Sequence, residues 1–363
     1  MNVPINMPVL GREEMREVGR VLRGGALTDA SLKGGPNVRE FEDAARRFLG
    51  SSYAVAVNSG TAAIQAALHA LGIGKGDEVL VPSFTFVATA NAVVAAGARP
   101  VFVDIDERHT MDPEDLEKKA SRRSKAVIPV HLYGNVARIE EIRRIADERG
   151  LRVIEDAAQS MGSTYRKKQS GTFGDVGCFS LYPAKVITAG EGGLVVTDDK
   201  DLYDKLLMVR NHGMVRGYDS EVFGLNMRMP EINAAIAKVQ VSRLPSFLAR
   251  RRANARTLSG LLEGADVALP EQRAREEVNW YLYTISTERQ SELKKALNAA
   301  GFGANVYYPI PVHRIPFYAA MKGRPGRLPA TERAAGRVLS LPVHPGVRLH
   351  HLKKMSEIVD RVV

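Results

Sequence analysis

The sequence has a single cysteine, Cys178, and a single tryptophan among its 363 residues. One cysteine excludes an internal disulfide and a cysteine-ligated zinc site. Long apolar runs are also missing. The most apolar stretch, Val87 to Gly97, is interrupted by Thr89 and Asn91 and falls well short of the ~20 residues of a membrane helix. The opening MNVPINMPVLGREE has no basic region followed by an apolar one, so it does not read as a secretory signal. These absences predict a cytoplasmic protein with no membrane partner. GxSxG, GxGxxG and GxxxxGK[ST] do not occur, which leaves out the hydrolase elbow, the dinucleotide fingerprint and the P-loop. His131, His212, His313 and His344 have no neighbour at HExxH spacing, and no metal site is predicted.

What is there is ordinary globular composition, 45% hydrophobic and 25% charged, which excludes disorder and fibrous repeats. The net charge is +10, from 51 Lys and Arg against 41 Asp and Glu. The basic residues are scattered, without a zinc-finger, RNP or basic-zipper pattern, so no nucleic-acid partner is predicted. The tightest cluster, Arg250-Arg251-Arg252 with Arg256, reads as a solvated helix face.

Short β-branched runs alternate with helical patterns through the first two-thirds of the chain. Strands are predicted at 53–57, 78–81, 100–103, 126–130 and 152–155. Helices are predicted at 61–71, 85–96, 113–120 and 136–149. That alternation predicts an α/β fold with a parallel or mostly parallel sheet covered on both faces. Glycines then punctuate two short strands near 176–181 and 193–196, a hairpin-like excursion beside a site. Helices follow at 202–210, 230–244 and 245–262. A looser mixture after that predicts a large domain over residues 1–245 and a small C-terminal α+β domain over 246–363.

Three segments can carry chemistry. Asn58-Ser59-Gly60-Thr61 lies between a strand and a helix, where outward helix amides suit a phosphate; Ser59 as a plain helix cap is the other reading. Asp156 ends a buried strand, the place where open α/β sheets hold ligands. It is either a partner for a cationic ring nitrogen or a turn cap. Lys185 sits between the strand end Phe179-Ser180-Leu181 and the turn Gly190-Glu191-Gly192-Gly193. A lysine enclosed there has a lowered pKa and forms a Schiff base readily, although most lysines are surface residues.

A phosphate cradle, a strand-end acid and a buried lysine, in that order, are the parts of a pyridoxal-phosphate enzyme. Across nearly its whole length the chain resembles the DegT/DnrJ/EryC1/StrS sugar aminotransferases of fold-type I. The likeness runs through Pro8-Val9-Leu10, Asn58–Thr61, Pro82–Phe86, Pro129–Gly134, Glu155–Gln159, Phe179–Lys185, Gly190–Gly193, Arg210–Gly213, Gly224–Met229 and Leu341–Pro345. The resemblance implies Lys185 as the cofactor-linking and proton-shuttling amine and Asp156 as partner of the pyridine nitrogen. It implies Gln159 near the ring hydroxyl, Phe86 stacked on the ring, and Gly60, Thr61 and Ser180 on the phosphate. Asn226 would reach the phosphate of the other subunit, which makes the active unit a homodimer. Tyr133 and His313 are candidate substrate contacts.

The implied reaction takes an amino group from L-glutamate, by way of pyridoxamine 5'-phosphate, to a 3- or 4-keto sugar on a nucleoside diphosphate. A pyridoxal-phosphate sugar dehydratase, a ketocyclitol aminotransferase and a non-catalytic sensor are the alternatives. Lys185 favours the transaminase, because a histidine replaces this lysine in some dehydratases of the family. Two stretches depart from the family pattern: Asn279-Trp280, where a histidine is common, and the longer segment 27–36. Both are expected to alter substrate contacts and leave the cofactor set untouched.

Overall fold

The computed structural model describes residues 2–321 and 326–363. Seven strands build the central sheet: β1 (Tyr53–Val57), β2 (Glu78–Pro82), β3 (Arg99–Val103), β4 (Ser124–Val127), β5 (Arg152–Asp156), β6 (Val176–Ser180) and β7 (Gly193–Thr197). Their order is β1-β7-β6-β5-β4-β2-β3. The run from β3 to β6 is parallel, and β7 is antiparallel to both of its neighbours. The expected mostly parallel α/β sheet is what forms, and the glycine-punctuated excursion is the β6–β7 pair.

Both faces of this sheet are buried, which is why its strands read as continuous apolar runs. Val55 and Val57 of β1 face one apolar cluster, while Ala54 and Ala56 face another. Parallel strands need long crossovers, and helices supply them. The helices are α1 (Arg12–Gly24), α2 (Pro36–Leu49), α3 (Gly60–Ala70), α4 (Ala88–Ala95), α5 (Pro113–Lys119), α6 (Ile139–Arg149), α7 (Lys200–Arg210) and α8 (Glu231–Leu261). Among the described residues no helix is long and apolar enough to cross a membrane.

The structure corrects the two helices expected at 230–244 and 245–262. They are one helix, α8, with Pro245 inside it. Proline removes one backbone donor, yet the flanking Val241, Leu244, Phe247 and Leu248 are all buried. Packing on both sides of Pro245 keeps the turn helical where local propensity would end it. Beyond α8, strand Tyr283–Ser286 pairs antiparallel with Val338–Leu341, and helices Gln290–Ala299 and Leu349–Val362 pack beside them. The N-terminal segment joins this part of the chain, with Val3 exchanging backbone hydrogen bonds with Gly301 and Gly303.

The segment 27–36 is held by three buried polar residues. Glu231 accepts from the Asn37 amide at 2.9 Å, the Asn37 side chain at 2.7 Å and the Val38 amide at 3.3 Å. It thereby caps α2 with a carboxylate, the favourable charge at a helix N-terminus. Arg210 donates to the Leu32 carbonyl at 2.7 Å, and Asn211 to that of Ala30 at 2.9 Å. A Cβ on Gly35 would run into the Glu231 carboxylate, so the segment passes close over that side chain.

Candidate active site

The site forms at the carboxyl ends of the central strands, where the chain leaves the sheet. Ser59 follows β1 in an extended conformation, and its hydroxyl accepts from the Ala62 amide at 3.1 Å. That bond caps α3 and leaves the amides of Gly60 and Thr61 free of the helix ladder. The capping and anion-binding readings are therefore compatible. Gly60 is packed against the end of β6: a Cβ there would lie 2.7 Å from the Ser180 Cβ. The close approach brings the Ser180 side chain next to the first residue of α3.

Asp156 ends β5, nearly fully buried. Its carboxylate accepts from Thr89 Oγ1 at 2.8 Å and from the Ala158 amide at 3.1 Å. Burial raises its pKa, and the Thr89 and Ala158 donors, with the Lys185 charge, work against that rise. The preceding Glu155 faces the other way. It takes the amides of Gly171, Phe173 and Gly174 and the imidazole of His131 at 2.7 Å. His131 Nδ1 accepts from the Ala137 amide, which puts the ring proton on Nε2 toward Glu155. His131 is thus buried scaffold at the strand end.

Lys185 follows β6 in the turn before β7. Its Nζ lies 4.9 Å from the centre of the Tyr281 ring. Enclosure lowers its pKa to about 8, and the Asp156 charge opposes that fall. A substantial fraction of free amine is then present near neutral pH, the form that attacks an aldehyde. Cys178 pairs in register with Asp156 and is fully buried, with its thiol pKa pushed up. It is a packed strand residue.

Gln159 is fixed from both sides. Its Oε1 accepts from the Tyr133 amide at 2.8 Å, and its Nε2 donates to Tyr308 Oη at 3.2 Å. Tyr133 has φ +62°, a strained choice for an aromatic residue, and that turn aims its amide at Gln159. The Tyr133 ring is buried and its hydroxyl donates to the Tyr307 carbonyl. Phe86 is 55% exposed, with its ring centre 5.8 Å from that of Tyr308. A large aromatic face left open beside Tyr308 is a platform for a flat ring.

The sequence-predicted residues fall into three groups. Lys185, Asp156 and Gln159, with Phe86, join one another through shared neighbours, and Gly60, Thr61 and Ser180 lie together where β1 meets α3 and β6 ends. Asn226 lies exposed, its carbonyl accepting from Asn58 at 3.3 Å. His313, in the short turn Val312–Arg314, is buried against the loop after β2, with Nδ1 2.6 Å from Ser83 Oγ and Nε2 3.3 Å from Glu332. Its pKa is lowered, chiefly by burial.

Three residues escaped the sequence reading: Thr89, Tyr281 and Tyr308. Each meets the site through a contact distant in sequence. The expectation for Asn279-Trp280 also changes. Asn279 is fully buried, donates to the carbonyls of Gln159 and Met161 at 2.9 and 3.1 Å, and accepts from the Tyr281 amide. It clamps the Gln159 turn to the Tyr281 backbone. Arg251 departs from the solvated helix face expected for its cluster, being 1% exposed.

These residues suit pyridoxal phosphate. The α3 N-terminal amides at Gly60 and Thr61 suit a phosphate, the open Phe86 face a pyridine ring, the hydrogen-bonded Asp156 a ring N–H and the partly enclosed Lys185 an aldehyde.

Comparison with known proteins points the same way. The sequence pattern of the DegT/DnrJ/EryC1/StrS aminotransferase family matches residues 8–360. A dTDP-3-amino-3,4,6-trideoxy-alpha-D-glucose transaminase from Streptomyces venezuelae is 43% identical over 333 residues, 90% of this chain and 86% of that one. A UDP-N-acetyl-3-dehydro-alpha-D-glucosamine 3-aminotransferase from Acidithiobacillus ferrooxidans is 40% identical over 342 residues, covering 94% and 92%. The crystal structure of S. venezuelae DesV, in complex with a ketimine intermediate, superposes with a TM-score of 0.92 at 38% identity, covering 99% of this chain and 98% of DesV.

Proposed function

The chain belongs to the DegT/DnrJ/EryC1/StrS aminotransferase family, and we propose that it transfers an amino group from L-glutamate to a nucleotide-linked keto-deoxysugar, using pyridoxal 5'-phosphate. The observation that carries this reading is the enclosed Lys185 amine, placed against Tyr281 and facing the Asp156 charge.

When bound, pyridoxal phosphate supplies an aldehyde that links to amines and a protonated ring that takes up the electron pair left at the donor's α-carbon. The chain's residues do the rest. Gly60 and Thr61 amides and the Ser180 hydroxyl would hold the phosphate at the positive end of α3. Asp156, whose charged form Thr89 and Ala158 favour against burial, would accept the ring N–H and hold its charge. Gln159 would sit beside the ring hydroxyl, and Phe86 would cover one ring face. Lys185 Nζ would take the donor's α-proton and return it. A base so placed is typically worth about 10²–10⁴ in rate. The Tyr281 ring would cover one side of that amine.

The nucleotide sugar is supported by two relatives named for dTDP- and UDP-linked amino sugars. The nucleotide, the sugar and the choice of carbon 3 or 4 are set by loops that differ between such enzymes. The homodimer is supported by Asn226, exposed next to a segment that carries Tyr218 and Phe223, 99% and 64% exposed. Aromatic exposure on that scale marks a contact surface.

The test is spectroscopic. Purified protein with pyridoxal phosphate should develop a visible absorbance band that bleaches on adding L-glutamate. A panel of keto-sugar nucleotides, read by mass spectrometry, should then yield an amino sugar. A band indifferent to glutamate would point to another donor or to a dehydratase. Product from a ketocyclitol alone would overturn the nucleotide-sugar assignment.

A further inference from the structure

Arg251 sits in the middle of α8, 1% exposed. Its acceptors are all uncharged. Nη1 donates to the carbonyls of Trp280 and Tyr281 at 3.1 and 3.3 Å, and Nη2 to Asn6 Oδ1 at 2.7 Å. Nε has no partner among the described residues. Burial lowers its pKa to about 10, so it is still a cation at neutral pH. A buried cation with neutral acceptors and an orphaned N–H is a poor way to gain stability, since a packed apolar side chain would avoid the desolvation.

The partners of Arg251 show what it does hold. Tyr281, whose carbonyl it takes, lays its ring against Lys185 Nζ. Asn6, whose oxygen it takes, donates from Nδ2 to the Ala184 carbonyl and at 3.5 Å to that of Lys185. One planar fork thus connects the ring over the lysine's amine with the backbone that carries the lysine. We infer that Arg251 is a positioning residue for Lys185, fixing the Tyr281 ring and the Ala184–Lys185 backbone relative to one another. A lysine at 251 would not do this, because a single ammonium cannot span both partners with fixed geometry. The other titratable groups facing this network are Asp156, opposite Lys185, the Tyr182 and Tyr307 hydroxyls beside Tyr281, and His344, beside Arg251 and neutral with a pKa of about 4.

The inference rests on Lys185 as the reactive amine of the proposed function. The test reads the amine itself. Acetic anhydride labels the full chain, without added cofactor, across a pH series, and mass spectrometry follows Lys185 with exposed Lys353 as internal reference. In the wild type, labelling of Lys185 has its midpoint near pH 8. In Arg251→Met the ring loosens and water reaches Nζ. The midpoint should rise by about one unit, so labelling at pH 8 falls roughly fivefold. Tyr281→Leu removes no charge at neutral pH and should give the same rise, and the double variant no more than either single one. Asn6→Leu should shift it in the same direction by less. An Arg251→Met protein that melts earlier but labels Lys185 like the wild type would overturn the inference and leave Arg251 purely structural. Should Arg251→Met not fold, unchanged midpoints in both Tyr281→Leu and Asn6→Leu overturn it equally. A wild type that forms no absorbance band with pyridoxal phosphate would instead sink the proposed function.

Discussion

Thr89 Oγ1 donates a 2.8 Å hydrogen bond to the Asp156 carboxylate, joining the first turn of α4 to the end of β5. Thr85 Oγ1 lies 3.1 Å behind it. Burial alone would neutralise a carboxyl this deep, and a neutral acid would not hold a pyridinium proton. The Thr89 hydroxyl is the side-chain donor that keeps Asp156 toward its charged form.

Thr89→Val keeps the shape and removes that donor. A hydrogen bond to a charged group is worth roughly 1.5–3 kcal/mol. The pKa of Asp156 should rise further, and the acid limb of the kcat/KM profile should move up by about one unit. At pH values below that limb the rate should fall about tenfold, whereas Thr89→Ser should stay near wild type. An unmoved acid limb would remove Thr89 from the site.

Lys185→Ala should abolish transfer and make the cofactor-free protein more stable. The native pKa is about 8 against an ordinary 10.5, so between these values the unfolded chain binds more protons than the folded one. Stability of the wild type therefore rises with pH across that window. At neutral pH the enclosed ammonium costs the fold on the order of 3 kcal/mol. Thermal melts should show the variant several degrees higher at pH 7, with the gap closing by pH 10. A variant that melts no higher at pH 7 would mean that Lys185 is freely hydrated.

Gly60→Ala tests the proposed phosphate site at the start of α3. Its new methyl would meet Ser180 Cβ at 2.7 Å, a contact that forces β6 and α3 apart. Overpacking of this kind costs about 1–3 kcal/mol. Pyridoxal phosphate affinity, followed by absorbance titration, should drop at least about tenfold. Cofactor affinity equal to wild type would place the phosphate elsewhere.

Glu231→Ala should free the segment 27–36. The change leaves the Asn37 and Val38 donors unpaired inside the protein. Each such group costs about 1–3 kcal/mol, part of which water recovers if the segment lifts. The melting temperature should fall by several degrees, and trypsin should cut after Lys33 in the variant well before it cuts the wild type. Equal cutting rates would show that Glu231 does not hold this segment.

The sheet was readable because its strands are buried on both faces and its crossovers are helical, both properties of local sequence. Lys185, Asp156 and Gly60 stood out because each sits where a strand ends in small or special residues. Thr89, Tyr281 and Arg251 did not. Thr89 lies inside a predicted helix that looks like any alanine-rich one. Tyr281 is one tyrosine of eleven. Arg251, in an arginine triplet on a helix, has the pattern of a solvated face, and only the return of residues 280–281 and of Asn6 over that helix buries it. Pro245 misled for the related reason that packing overrode a local breaker.

An active site shared between two subunits would make a quantitative prediction. If Asn226 of one subunit completes the phosphate site of its partner, each site draws Lys185 from one chain and Asn226 from the other. Lys185→Ala and Asn226→Ala homodimers should then each be nearly inactive. Unfolding and refolding a 1:1 mixture makes half of the dimers mixed, and each mixed dimer has one site with both native residues. Activity should return to about a quarter of wild type. If both residues serve the same chain's site, every site in the mixture still lacks one of them, and no activity returns. The Tyr218–Phe223 segment supplies an independent check. Tyr218→Asp with Phe223→Asp, on exposed positions, should leave the fold intact. Sedimentation should then show a monomer, and that monomer should be inactive.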